Sequence, residues 1–396
     1  MARLVVSGVV ANLAVGTLFG WSLVAQQASR DVGAPASTAT AVFAAAVAVF
    51  TLAQLGVRRG LHVLGPRRLL GGAAVVAGTG LGVAASGQHP LALWCGIGLC
   101  FGAASGVGYG VSVALAARVP GSRRGAATGL VVAAYAAGPV VLGLLAPHAV
   151  PALGWRACAA GQAVAVAGLL SCAAALAPSD RTAREAPPGV EEPPDRRTVV
   201  PLWVVFAGGA APGLFVFASA APLAAERGLG TAGGGAAVSL LAAGNLGGRL
   251  LAGWWSDRVG RRPSLTVALA VAAASIAGLA GPTAPALVLS AFAATGVAYG
   301  ALSALVPAAT ADRVGARAFP RAYGRVFTGW GCAGLVAPVV GGLLTGGGRR
   351  AELVLLVAVP LIPAAVALLL LAPREPELGP ARRRPPPRLP GCGSSR

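Results

Sequence analysis

The sequence predicts an all-α integral membrane protein of twelve transmembrane helices, arranged as two pseudo-symmetric six-helix bundles. Three observations carry that expectation: an apolar composition, arginines that recur in alternate loops, and short stretches that return half a chain later. Of 396 residues, 56% are hydrophobic and 11% charged, with a mean hydropathy of +0.75. A soluble domain is about one-quarter charged. A lipid-facing open sheet is excluded, because its unpaired backbone groups would find no water in the hydrocarbon.

Taken in order, apolar stretches lie near residues 4–27, 38–57, 68–88, 91–117, 125–147, 153–177, 200–225, 232–255, 264–281, 284–308, 322–346 and 351–372. Each is long enough to cross about 30 Å of hydrocarbon as a helix. The first is too long and unbroken for a cleaved secretory segment, so it reads as a span.

The formal net charge of +19 is distributed by topology. Arginines cluster at Arg58, Arg59, Arg67 and Arg68, at Arg118, Arg123 and Arg124, at Arg181 to Arg197, at Arg258, Arg261 and Arg262, at Arg313, Arg317 and Arg321, and in the tail. The intervening loops hold few, with Arg30, Arg227, Arg349 and Arg350 as exceptions. The positive-inside rule then puts both termini and the long central loop in the cytoplasm of a multi-pass inner (plasma) membrane protein. The bilayer, and no nucleic acid, is the partner this charge implies.

Repetition divides the chain. GVGYG at residues 106–110 returns as GVAYG at 296–300, GPVVLGLL from Gly138 as APVVGGLL from Ala337, and LHVLGPRRLL from Leu61 as SDRVGRRPSL from Ser256. Three matches in one order, at offsets near half the length, indicate two like halves. The expected organisation is an N-terminal six-helix bundle (1–177), a charged, Pro-rich cytoplasmic linker (178–199), a C-terminal six-helix bundle (200–372) and a disordered basic tail (373–396). Two parallel repeats about an axis along the membrane normal are the plan of a rocker transporter with its site at the midplane. A functional monomer suffices for such a plan.

Enzymatic chemistry has little support. The six cysteines show no C-x-x-C pair, and all but Cys392 fall in apolar spans, where they read as small core residues. His62, His89 and His148 are too scattered for a metal site, no nucleophile constellation appears, and no cofactor is indicated.

GWWSDRVGRR, residues 253–262, resembles the loop signature of the major facilitator superfamily. That resemblance implies that Asp257 with Arg258, Arg261, Arg262 and Gly253 clamps neighbouring helix ends in one conformation. The first-half copy has decayed, with His62 and Val63 where the acid and first arginine are expected. Within the superfamily the chain is similar to the oxalate/formate antiporter family, a neighbour of the monocarboxylate transporters. GTLFGWS (16–22), RRGAATGLVVAAYAAGP from Arg123, NLGGRLLAGWWSD from Asn245, PAATADRVG from Pro307 and YGRVFTGWGCAG from Tyr323 carry the likeness. It implies passage of small carboxylates through a central cavity, with Arg249 as the anion-binding residue.

Arg249 lies eight residues before Asp257, so on a helix it sits about 12 Å below that end. An arginine at such depth costs about 2.5 to 3.5 kcal/mol and needs a partner. Two partners are open: a substrate carboxylate gripped by the guanidinium fork, or helix carbonyls, with the arginine holding a gate. The oxalate carriers of the family have a second cation, a lysine, where this chain has Trp330, and the chain contains no lysine. One buried cation balances a monoanion such as formate, lactate or pyruvate better than a dianion. Asn245, one turn before Arg249, is a hydrogen-bonding neighbour, and Tyr299, Trp330, Trp21, Phe19 and Tyr109 are the expected aromatic walls. Proton-coupled relatives resemble this helix but have an aspartate at position 245, so antiport or downhill passage is expected before proton symport. The rival readings are an exporter of amphipathic compounds and a non-transporting carboxylate sensor.

Overall fold

In a computed structural model, residues 1–35, 37–178, 195–281, 284–344 and 359–370 are described. Among them the only regular structure is helical. The helices are α1 (Ala2–Gly16), α2 (Ala25–Asp31), α3 (Ser37–Val63), α4 (Gly65–Ser86), α5 (Pro90–Ala116), α6 (Gly121–Leu176), α7 (Arg196–Glu226), α8 (Gly230–Val259), α9 (Arg261–Ala280), α10 (Pro285–Leu344) and α11 (Leu361–Leu370). Two are double crossings: α6 breaks at Gly154 (φ 80°) and α10 at Gly315 (φ 73°), backbone conformations that a side chain would strain. With those breaks counted, the helices give the twelve-span, two-bundle plan, the twelfth span being represented by α11.

Helix ends depart from the sequence expectation in places. The first span is not one α-helix, because Thr17–Leu23, carrying most of GTLFGWS, is a 3₁₀ turn before α2. The turn brings the chain against α6 so closely that a Cβ on Gly138 would lie 2.7 Å from the Thr17 nitrogen. The second half starts at Arg196, where Asp195 caps α7 by accepting from the Arg197 N–H at 2.9 Å. Most of the linker (179–194), the start of the twelfth span, the tail 373–396 and Cys392 lie outside the described residues.

The repeats do the same mechanical work twice. In the first half, Gly102 and Gly106 of α5 meet the backbone of α3, at Ala46 and Phe50. In the second, Gly296 and Gly300 of α10 meet the backbone of α8, at Leu241 and Asn245. Lipid tails offer no hydrophobic drive between helices, so such small residues let backbones close to van der Waals contact. Gly65 and Gly260, which the third repeat aligns, both turn the chain with positive φ, 75° and 93°.

The halves meet along two seams. The first arm of α6 packs on α8, and α3 packs on the second arm of α10. The cysteines correct an expectation: Cys95, Cys172 and Cys332 are exposed, and Cys100 and Cys158 half-buried, so they are not core residues. In a bilayer both faces of a helix are apolar, and composition alone does not tell inside from outside.

Candidate functional site

Arg249 on α8 is 5% exposed and lies on the seam between halves. Its Nε donates to Asn245 Oδ1 at 2.9 Å, the i,i+4 pairing expected on one helix face. Its Nη1 donates across the seam to the backbone oxygen of Val132 on α6, also at 2.9 Å. The Tyr299 ring stands 5.9 Å from the guanidinium carbon. A guanidinium has five N–H donors. Among the described residues the remaining donors, including the whole Nη2 edge, have no hydrogen-bond acceptor, and no carboxylate pairs with this cation.

Aromatic rings surround it. Tyr299 accepts a hydrogen bond from Trp330 Nε1 at 3.0 Å, and the hydroxyls of Tyr109 and Tyr323 pair across the halves at 3.3 Å. Tyr109 packs on Tyr135 (5.1 Å between centroids), and Phe19 reaches the group through Tyr135 at 5.7 Å. Repetition makes Tyr109 and Tyr299 equivalent: each is the tyrosine of its half's GVGYG or GVAYG stretch.

Of the residues expected in the site, Arg249, Asn245, Tyr299, Trp330 and Tyr109 are thus brought together, with Phe19 at their edge. Trp21 is not. Its indole, 6% exposed, donates to the Ala39 oxygen at 2.9 Å and lines a small space inside the first half beside Leu18, Phe101 and Trp155. Sequence reasoning missed Tyr135, Tyr323, Phe50 and Phe327. A signal existed for three of them, since YAAGP holds Tyr135 and YGRVFTGWG holds Tyr323 and Phe327, and both stretches carry the family likeness.

Toward the arginine-rich end the same seam is closed by charge. Asp257 accepts from the backbone N–H groups of Gly125 (2.9 Å) and Ala126 (2.8 Å) near the start of α6, and pairs with Arg261 Nη2 at 2.8 Å. A carboxylate there also meets the positive end of the α6 dipole. Asp312, on α10, joins Arg124 of the first half to Arg261 of the second, whose Nε it accepts at 2.7 Å. Gly253 lets α8 touch α6 at Gly125 and Gly129. Arg258 and Arg262 stay outside the clamp. Arg258 lies 3.6 Å over the Trp254 ring, and Arg262 donates to the Leu369 oxygen at 3.2 Å. Arg124 and Asp312 carry the clamp instead.

A profile of the Major Facilitator Superfamily matches residues 5–285 and 202–391. Among solved structures, the human organic anion transporter MFSD10 (TETRAN) shares the fold, with a TM-score of 0.68 and 13% identity, over 93% of this chain and 98% of that one. No curated protein matches the chain in sequence.

Proposed function

Because this chain belongs to the major facilitator superfamily, we propose that it carries small carboxylates across a membrane by alternating access, with monocarboxylates such as formate, lactate or pyruvate preferred over oxalate. The observation that supports this reading is Arg249: a buried cation between two halves, with part of its donor fork unused and no carboxylate beside it among the described residues. An arginine deep in hydrocarbon costs about 2.5 to 3.5 kcal/mol. A substrate carboxylate bound to the open Nη2 edge offsets that cost and is itself desolvated only where a fixed cation awaits it. One positive charge neutralises one negative charge, hence the preference for monoanions.

In this scheme Asn245 holds the guanidinium by its Nε, Tyr299 and Trp330 form one wall, and Tyr109 with Phe19 forms the other. Asp257, Arg261, Arg124, Asp312 and Gly253 hold the arginine-rich end shut in the present conformation and release it in the other. By the positive-inside rule that end and both termini face the cytoplasm of the plasma membrane. Residues 1–177 and 200–372 are the rocking bundles, joined by the 178–199 linker and followed by the 373–396 tail. A working monomer is proposed, exchanging one carboxylate for another or passing one down its gradient. The description of the matched human protein as an organic anion transporter agrees with this in the sign of the cargo. The Val132 bond favours a second role for Arg249 beside binding, as a tie between halves that closes the gate.

Uptake of radiolabelled formate, lactate, pyruvate and oxalate into proteoliposomes, with and without a counter-substrate inside, tests the proposal. Uptake of a monocarboxylate, accelerated or not by the counter-substrate, is the expected result. Transport of oxalate alone would overturn the one-cation argument, and movement of none of the four would overturn the carboxylate reading for these acids.

A further inference from the structure

Resting on the carboxylate reading, we infer that the preferred substrates are aryl monocarboxylates: one carboxylate on a short stem that carries a flat aromatic ring.

The inference comes from where this chain places its rings. Only 5% of its residues are aromatic, and its helices are built mostly of Ala, Gly, Val and Leu. Yet all four tyrosines, seven of ten phenylalanines and one tryptophan are linked in ring contacts or hydrogen bonds around Arg249. Many helix contacts elsewhere in the molecule close through glycine, so close packing alone does not call for a connected run of rings here. Several contacts cross between the halves: Phe50 to Phe327 at 5.4 Å, Phe50 to Trp330 at 6.0 Å and Tyr109 to Phe327 at 5.4 Å. These must separate when the halves rock apart. The hydroxyl of Tyr135, buried among the rings, has no hydrogen-bond partner among the described residues.

A formate or acetate ion satisfies Arg249 but leaves the parting ring faces to water. A flat ring on the same carboxylate takes their place. The cross-half pairs are inclined at 46° to 53°, a tilted geometry, and the neighbouring Tyr109–Tyr135 and Tyr323–Phe327 pairs meet edge to face. Aromatic edges are positive and faces negative, so an aryl group gains from such neighbours beyond the area it buries, and a saturated ring of equal bulk does not.

The test is counterflow of labelled pyruvate in proteoliposomes of the full chain, with matched competitors. Phenylpyruvate, which adds only a ring to pyruvate, should compete at concentrations about tenfold lower than unlabelled pyruvate, and benzoate should outcompete cyclohexanecarboxylate by about threefold or more. Phenylpyruvate no better than pyruvate, or cyclohexanecarboxylate equal to benzoate, overturns the aryl inference while leaving the carboxylate reading in place. Failure of both labelled pyruvate and labelled benzoate to enter overturns both. Phe50→Leu should weaken phenylpyruvate about tenfold and pyruvate about twofold. An undiminished phenylpyruvate advantage in that variant would count against the ring contacts as the cause.

Discussion

The two seams between the halves are built alike in shape and differ in the buried arginine that one of them holds. On one, α6 meets α8 through Gly125, Gly129 and Gly253; on the other, α3 meets the second arm of α10 through Gly324 and Gly331, against Gln54 and Thr51. Both rely on backbone approach that a Cβ would block. The first holds Arg249 at its middle and Asp257 at its end, where the repeat places His62 in α3. Small residues make both joints, and a buried guanidinium stands in one of them. The scaffold is shared, and on the proposed function recognition belongs to one seam.

Five substitutions bear on that contrast. The largest effect is expected from Arg249→Gln, which leaves a polar side chain but removes the charge and the donor fork: carboxylate counterflow should fall about 100-fold, from the loss of a charge-assisted bidentate contact. Transport persisting near the wild-type rate would show that the ionic seam is not where substrate binds. Next are Gly129→Ala and Gly324→Ala, whose Cβ atoms would sit 2.5 Å from the Arg249 oxygen and 2.7 Å from the Gln54 oxygen. Overpacking of this kind costs about 1 to 3 kcal/mol. Spin-label distances across the arginine-rich end should lengthen in both variants, because the two seams share this component. A response at Gly129 alone would mean the seams differ in packing as well as charge.

Asp257→Asn retains an acceptor for one α6 amide but loses the ion pair to Arg261, a pair 7% and 11% exposed. The closed population should fall about threefold to tenfold, read by the same distances, as hydrogen bonds to charged groups contribute about 1.5 to 3 kcal/mol against about 1 for neutral ones. The smallest effect is predicted for His62→Asp, which restores the missing acid at the end of the second seam. His62 is exposed, so the gain should be under about 1 kcal/mol, seen as a rise of a few degrees at most in the thermal midpoint.

How far the sequence could be read follows the same division. Asn245 and Arg249 were legible as partners because one turn of helix fixes their spacing, and Tyr109 and Tyr299 because a repeat maps one onto the other. Trp21 misled because it stands in the same short motif as Phe19, while the 3₁₀ turn there sends the two side chains apart. The bridge from Arg124 to Asp312 spans 188 positions and exists only when the halves dock. No local spacing encodes it. The cysteines were misjudged for a solvent reason, since lipid rewards on the outside the same apolar residues that packing rewards within.

The acceptor that Arg249 finds in the opposite half is main chain, the Val132 carbonyl. Every amino acid carries that oxygen, so drift at position 132 cannot delete the contact, and no alanine scan of α6 would reveal it there. What heredity can alter is the neighbour that sets the approach, Gly129. A family of such sequences would accordingly show its constraint three residues away from the atom that is held.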